Sequence, residues 1–210
     1  HIQDNDITSF MLGSGFGSIL IQKNNLVLHG NAMKKKDKVI LCLGSSGAGK
    51  STLAYALMKL GWQLMSDDLI AITNDLEVLP GIPRIKLWQD ALNQFSVNYS
   101  NFHQIRSGIF KYLIPYEDIV FNKTKSKINS IYIINNEKDE IPSIEKVKNQ
   151  QECLLRVRNQ LYRPRFIRSL GKEIVSFNLI NNLIKKTNIF KLTLPFGIKE
   201  MQCWLEQISL

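Results

Sequence analysis

The residues best suited to chemistry in this chain form one glycine-rich run, GSSGAGKS, from Gly44 to Ser51. It fits the pattern G-x-x-x-x-G-K-[ST], in which backbone amides and a lysine surround phosphate oxygens. Lys50 would reach the terminal phosphates of a nucleotide, and the Ser51 hydroxyl would ligate Mg²⁺. The alternative is a plain strand-to-helix turn, but the flanking apolar segments favour a phosphate loop. The predicted nucleotide-binding residues are Gly44, Ser45, Ser46, Gly47, Ala48, Gly49, Lys50, Ser51 and Thr52.

Two adjacent carboxylates, Asp67 and Asp68, are the second candidate for chemistry. They follow the glycine-rich run by one predicted helix and one predicted strand. In a parallel β-α-β unit this order returns the chain to the same edge of the sheet. One aspartate could then ligate Mg²⁺, and the other could orient or deprotonate a hydroxyl that attacks the γ-phosphate. The alternative is a solvated acidic turn.

The segments around these residues predict an α/β arrangement. The apolar run 39–43 predicts a buried strand, and 52–60 predicts a helix that Gly61 ends. Further strands are predicted from short apolar or alternating runs at 10–12, 18–21, 26–29, 69–72, 84–88 and 128–134. The glycine-rich stretch 13–17 predicts a hairpin turn, because no helical pattern follows it. The polar stretch 93–107 is typical of a mobile lid or substrate loop.

The last third of the sequence is predicted to be mainly helical. Apolar residues recur at helical spacing from residue 150, and again from 198 to 208, with one strand predicted near 190–194. We therefore expect a single domain over 1–210. Its predicted parts are a β-rich start at about 1–43, a nucleotide-binding core at about 39–134 and a helical part at about 150–210.

Composition narrows the function classes. The net charge of +9, from 27 basic and 18 acidic residues, suits attraction of nucleotide phosphates and an acidic partner, or simply a basic surface. The charges are dispersed and no RNA-module signature or zinc knuckle is present, so a nucleic-acid partner is not expected. No apolar run is long enough to span a membrane. Three widely spaced cysteines, Cys42, Cys153 and Cys203, predict buried free thiols and a cytoplasmic, reducing location.

Three segments, in this order and at these intervals, resemble the C-terminal domain of HPr serine kinase/phosphorylase. They are LHGNA at 28–32, GSSGAGKSTLA at 44–54 and GWQLMSDD at 61–68. The later segments PRIKLW at 83–88 and LYRP at 161–164 resemble the shorter homologues of that kinase. Those homologues include kinases that phosphorylate the C-terminal serine of lasso-peptide precursors.

The resemblance implies a P-loop-containing mixed sheet with flanking helices, related to ATP-dependent phosphoenolpyruvate carboxykinase. It implies ATP, Mg²⁺ and a serine hydroxyl of a peptide or small protein as acceptor. By resemblance, Asp67 is the general base, Asp68 holds the metal with Ser51, and His29 lies against the base. On composition alone a single histidine is more often structural, so the role of His29 rests on the resemblance. The family's best-known enzymes are oligomers, which makes a homo-oligomer a further expectation.

Two departures from the family pattern bear on the reaction. Thr52 stands where the bifunctional enzymes usually carry Glu, and Gln104 stands in place of an acid in QIRSGI at 104–109. We therefore do not expect the reverse, phosphorolytic activity. Four cations are candidate phosphate or substrate contacts, against an alternative as surface cations: Arg84, Arg106, Lys111 and Arg163.

The leading hypothesis is thus a kinase that modifies a serine of a ribosomally made, lasso-type precursor peptide. One alternative acceptor is HPr itself. Another reading is a nucleotide-dependent binding or regulatory protein without an acceptor, and a further one is a nucleic-acid-stimulated NTPase.

Overall fold

Three β-sheets and seven α-helices form the described part of the chain, which has a mixed α/β architecture. The computed structural model describes residues 7–8, 10–106, 108–115, 120–135, 141–208 and 210. The helices are α1 (Phe16–Gln22), α2 (Lys50–Lys59), α3 (Gln89–Gln94), α4 (Gln150–Arg158), α5 (Pro164–Ser169), α6 (Glu173–Lys186) and α7 (Ile198–Gln207). The strands are β1 (Leu26–Leu28), β2 (Gly30–Lys35), β3 (Lys38–Leu43), β4 (Gln63–Ser66), β5 (Ile70–Ile72), β6 (Glu77–Val78), β7 (Ile85–Trp88), β8 (His103–Gln104), β9 (Lys111–Ile114), β10 (Ser126–Lys127), β11 (Ser130–Asn135), β12 (Ser143–Lys146) and β13 (Asn188–Thr193).

The largest sheet has six strands in the order β12-β13-β11-β3-β2-β4. Its central strand β3 is apolar and buried from Val39 to Leu43, as expected for a strand that is covered on both faces. Ile40 and Cys42 contribute to a core cluster with α2 and α7. Leu41 and Leu43 contribute to the opposite cluster, with α4, α6, β1 and β5. The sheet is therefore the middle layer between two hydrophobic cores. Cys42 is fully buried in one of them, and this burial raises the pKa of its thiol to about 12.

Strand direction brings separate parts of the sequence to one edge of this sheet. β2 pairs antiparallel with both β3 and β4, so β3 and β4 run in the same direction with β2 between them. The start of β2 consequently lies beside the ends of β3 and β4. Gly30 pairs with Leu43, and Ala32 pairs with Ser66. The prediction that Asp67 and Asp68 return to the sheet edge that carries the glycine-rich loop is confirmed. β3 and β4 are not direct neighbours, however, because the antiparallel strand β2 lies between them.

Two smaller antiparallel sheets flank this edge. One has the order β1-β5-β6-β10, and the other has the order β7-β9-β8. β7 forms over 85–88, within the alternating segment predicted as a strand. It follows the Pro80–Pro83 loop, where Gly81 N donates to the Met65 carbonyl oxygen at 2.7 Å.

The prediction of strands at 10–12 and 18–21 was wrong. The chain forms a π-helical turn at Met11–Gly15 and then α1. Leu20 and Ile21 are buried on one side of α1, which packs near Tyr162 and Ile167. Gly17 makes that contact close, because a Cβ atom there would lie 2.7 Å from a Tyr162 ring carbon. The glycines at 13–17 thus permit close packing of a helix rather than a hairpin turn.

The cysteine prediction was correct for two of the three thiols. Cys42 and Cys153 are buried as predicted, but Cys203 is exposed on α7, so that part of the cysteine prediction was wrong.

From residue 150 the described chain forms four helices and one strand. Ser107, part of the segment compared with the kinase family, lies outside the described residues. Within the described ranges no helix is both long and apolar enough to cross a membrane.

Candidate active site

The glycine-rich run forms the loop 44–49 between β3 and α2. Gly49 has φ +87° immediately before the helix, a left-handed conformation that favours glycine. At Gly44 a Cβ atom would lie 3.1 Å from the Ala48 Cβ and 3.2 Å from the Ile134 carbonyl oxygen. Ser45, Ser46 and Gly47 are exposed, whereas Ala48 and Lys50 are buried. The loop therefore presents its first half to solvent at the N-terminus of a ten-residue helix.

Lys50, the first residue of α2, is folded over this loop. Its Nζ donates to the carbonyl oxygens of Gly44 at 2.9 Å and Ser45 at 2.7 Å. Burial lowers the pKa of Lys50, while the negative charge of Asp68 opposes that effect. An ammonium group is thus already held at the loop that the sequence predicts to bind phosphate.

Asp67 follows β4 and is held by three donors. Its Oδ1 accepts from Asn31 Nδ2 at 2.5 Å and from Ser51 Oγ at 3.2 Å, and its Oδ2 accepts from the Lys86 backbone N at 2.9 Å. Burial, followed by the charge of Asp68, raises the pKa of Asp67 to about 6. This carboxyl group therefore binds a proton more tightly than an ordinary aspartate does.

Asp68 has a different environment from its neighbour. Its backbone adopts φ +66°, which is uncommon for a residue other than glycine. Its Oδ2 accepts from Lys86 Nζ at 2.5 Å in an ion pair. Burial opposes ionisation of Asp68, but the charge and hydrogen bond of Lys86 hold its pKa below the ordinary value. Adjacent positions thus have opposite pKa shifts, in keeping with the expected division of roles.

His29 lies at the start of β2, between the loop and the two aspartates. Its Nδ1 donates to the backbone carbonyl oxygen of Asp68 at 2.9 Å, which assigns the proton of the neutral ring to Nδ1. Burial, and then the charge of Lys50, lowers the pKa of His29. The structure therefore places a neutral imidazole against the Asp68 backbone.

A cavity of about 280 Å³ lies beside the two aspartates, and we call it the aspartate cleft. Its described walls combine apolar, aromatic and cationic residues: Leu12, Gly13, Phe16, His29, Ser66, Asp67, Asp68, Leu69, Gly81, Ile82, Arg84, Lys86, Tyr162 and Arg163. Two of the four cations singled out from the sequence, Arg84 and Arg163, therefore line this cleft.

The other two predicted cations lie elsewhere. Lys111, at the start of β9, has its Nζ 5.6 Å from the centre of the Trp88 ring. It is close enough that its charge acts on the pKa of both aspartates. Arg106 is exposed in the loop between β8 and β9 and is not among the described residues that line the cleft.

Two contacts of this site were missed by sequence reasoning. Asn31 had no role assigned, although it lies two positions after His29 and so on the same side of an extended strand. Lys86, within the strand predicted at 84–88, was not among the four candidate cations, yet it contacts Asp67 through its backbone and Asp68 through its side chain. Both assignments needed the register of β2 and the position of β7.

The donor set fits Mg²⁺. Ser51 Oγ, the two aspartate carboxylates and Asn31 Oδ1 are oxygen atoms, which this cation prefers. Asn31 is buried, and its Oδ1 has no hydrogen-bond partner among the described residues. No group of three or more His, Cys, Asp or Glu side chains with the geometry of a metal site occurs in the described ranges. A site with one or two carboxylates suits an ion that keeps water and nucleotide phosphates as its other ligands.

Comparison with known proteins gives a distant structural similarity. No protein-family model matches the chain, and no curated protein matches its sequence. The solved structure of the HPr(Ser) kinase/phosphatase from Coxiella burnetii is similar with a TM-score of 0.40 and 16% sequence identity. The similarity covers 86% of this chain and 94% of that one. At this distance it establishes neither the family nor the activity of the chain.

Proposed function

We propose that the protein is a Mg²⁺-dependent kinase that transfers the γ-phosphoryl group of ATP to a serine hydroxyl of a peptide or small protein. The observation that carries this proposal is the 3.2 Å hydrogen bond between Ser51 Oγ and Asp67 Oδ1. It joins the last residue of a phosphate-loop motif to a carboxyl group whose pKa is raised to about 6. A phosphoryl-donor site and a base are thus adjacent, as transfer to a hydroxyl requires.

In this proposal the loop 44–49 and the N-terminus of α2 bind the nucleotide phosphates. Lys50 moves from its two carbonyl partners to the terminal phosphates. Ser51 and Asp68 would hold Mg²⁺, with Asn31 Oδ1 as a further oxygen at the site. When bound, the cation would supply positive charge against the charge that develops on the transferred phosphoryl group.

The acceptor hydroxyl enters from the aspartate cleft. Asp67 takes its proton as the hydroxyl oxygen bonds to the γ-phosphorus, and the bond between that phosphorus and the β,γ-bridging oxygen breaks. The products are a serine phosphomonoester and ADP. His29, hydrogen-bonded to the Asp68 carbonyl group, fixes the backbone that carries both aspartates.

Among acceptors we favour a ribosomally made precursor peptide over HPr. Thr52 and Gln104 replace acids that accompany the bifunctional activity in the family that the sequence resembles. Incubation of the purified protein with γ-labelled ATP and each acceptor tests this ranking. Labelling of HPr alone would reverse it.

Replacing the base tests the reaction itself. Asp67→Asn should lower phosphoryl transfer by about 10²- to 10⁴-fold, the usual contribution of a general base, with nucleotide binding retained. Asp75→Asn is the matched control, because Asp75 is an exposed aspartate in the turn between β5 and β6. Transfer from γ-labelled ATP and binding of a fluorescent ATP analogue should be measured together. Full transfer activity of Asp67→Asn would refute the base assignment, whereas tight ATP binding without transfer in the wild type would favour a binding protein.

A further inference from the structure

The aspartate cleft is lined by more cationic than anionic side chains. Three cations, Arg84, Lys86 and Arg163, line it together with Asp67 and Asp68. Only Lys86 forms an ion pair with one of these carboxylates among the described residues. Neither guanidinium group has a carboxylate within salt-bridge distance in the described part of the chain, although the charges of Asp68 and Asp67 act on Arg84.

Arg84 is the more informative of the two. It is half-buried just before β7, and no described carboxylate lies within salt-bridge distance of it. Burial lowers its pKa, which reflects the cost of removing its charge from water. A guanidinium group in such a position gains most from an anion that enters the cleft.

Arg163 lies at the rim and is held in place by aromatic rings. Its guanidinium carbon is 5.7 Å from the ring centres of both Tyr162 and Phe166. Its Nε donates to Tyr162 Oη at 3.4 Å. Its backbone has φ +42°, so both Asp68 and Arg163 are non-glycine residues in the left-handed region and both line the same cleft.

Part of the lining is apolar. Leu12 and Phe16, from the π-helical turn and α1, line the cleft together with Ile82. Phe16 is partly exposed. A ligand that fills this space would meet both cationic and apolar side chains.

We propose that the aspartate cleft selects a serine that is flanked by acidic side chains within a peptide, with Arg84 and Arg163 as specificity-determining residues. This inference rests on the proposed kinase function, because it identifies the acceptor of that reaction. The flanking carboxylates pair with the two guanidinium groups and bring the hydroxyl to Asp67. The bonds made and broken are those of the transfer described above, and the acidic side chains remain unchanged.

Three seven-residue peptides test the selection: Gly-Phe-Glu-Ser-Glu-Phe-Gly and its Gln and Lys counterparts at both Glu positions. All carry blocked termini, so that only side-chain charge differs. The Glu peptide should be phosphorylated with a kcat/KM about tenfold or more above that of the Gln peptide, as expected for charge-assisted hydrogen bonds. The Lys peptide should be the poorest acceptor. Equal kcat/KM values for the three peptides would overturn the inference.

Variants identify the residues responsible. Arg163→Gln and Arg84→Gln should each lower kcat/KM for the Glu peptide about tenfold more than they lower kcat/KM for the Gln peptide. Arg163→Glu should reverse the preference towards the Lys peptide. Arg168→Gln is the matched control, because this α5 arginine is 84% exposed and lies outside the cleft lining. Arg163 is exposed, so its variants keep the test valid even if Arg84→Gln fails to fold.

A binding measurement separates this inference from the proposed function. The same peptides, labelled with a fluorophore, are titrated with the wild-type protein in the presence of a non-hydrolysable ATP analogue and Mg²⁺. Preferential binding of the Glu peptide in this titration, together with no phosphoryl transfer from ATP in the peptide assay, would refute the proposed kinase function. It would still support selection of acidic peptides by the aspartate cleft. Transfer to all three peptides with equal binding would support the kinase and refute the selection.

Discussion

Asp67 should determine how the reaction responds to pH. Its pKa of about 6 lies above the ordinary value because burial and the charge of Asp68 disfavour its ionised form. A general base must be deprotonated, so kcat/KM for transfer should be constant above pH 7 and fall about tenfold per pH unit below pH 6. The pKa of Asp68 is shifted downwards, so its protonation cannot produce a limb in that range.

Initial rates between pH 5 and 8, with the Asp75→Asn variant as control, would measure this limb. A rate independent of pH down to 5 would exclude Asp67.

The same pKa predicts an effect on stability. The folded-state pKa of Asp67 lies above its unfolded value, so its contribution favours folding below about pH 4 and is lost as pH rises through about 6. The difference between about 6 and the ordinary 3.8 corresponds to about 3 kcal/mol at neutral pH. Asp67→Asn removes this cost, but the amide nitrogen cannot accept from the Lys86 backbone N, so one hydrogen bond is lost at a cost of about 2 kcal/mol. The variant should therefore be more stable than wild type at pH 8 by about 1 kcal/mol.

Urea denaturation at pH 8 and at pH 4.5 would measure the difference, which should shrink at the lower pH. A variant that is less stable at pH 8, or equally stabilised at both values, contradicts the assigned pKa. An inactive but more stable protein would also show that loss of transfer is not caused by misfolding.

At the scale of elements, β2 positions His29 and Asn31 only if its first residue has no side chain. A Cβ atom at Gly30 would lie 2.5 Å from the Cys42 carbonyl oxygen of the paired strand. Gly30→Ala should therefore displace the start of β2, lower the midpoint of thermal unfolding by several degrees and weaken ATP binding. Gly15→Ala is the control, because its nearest neighbour would be the Met11 sulfur at 3.8 Å.

Thermal unfolding and ATP titration of both variants check this prediction. The Gly15 variant should be as stable as wild type or slightly more stable, since its φ of −62° suits alanine. Wild-type behaviour of Gly30→Ala would mean that β2 and β3 adjust without disturbing the site.

Strands with two buried faces, and helices with a clear apolar face, could be predicted from the sequence because each has a local pattern. β3, α2 and α7 are examples. The first helices could not, since Gly13, Gly15 and Gly17 weaken any local preference for helix. Their conformation depends on Tyr162, which lies about 145 residues further along the chain and packs against Gly17.

At the scale of the molecule, the motif predicted Lys50 and Ser51, the order of elements predicted the two aspartates, and the structure brings all four to one sheet edge. The sequence could not predict which aspartate contacts Ser51, because that depends on how Asn31, Ser51 and Lys86 donate to Asp67. The sequence also could not predict that Arg84 and Arg163 line the same cleft, since they are far apart in the chain and belong to a small sheet and a short helix. Long-range register, unlike periodicity, leaves no local signal in a single sequence.

The antiparallel course of β2 has a consequence for how the chain could be divided. The hairpin at Lys36 and Asp37 is exposed at the sheet edge opposite the site. A cut there would leave His29 and Asn31 on one fragment, and the glycine-rich loop with both aspartates on the other. Neither fragment alone would contain the complete site, so activity would return only when β2 re-entered the gap between β3 and β4. The hairpin is therefore a natural position for fragment complementation, with phosphoryl transfer as the signal that two fragments have met.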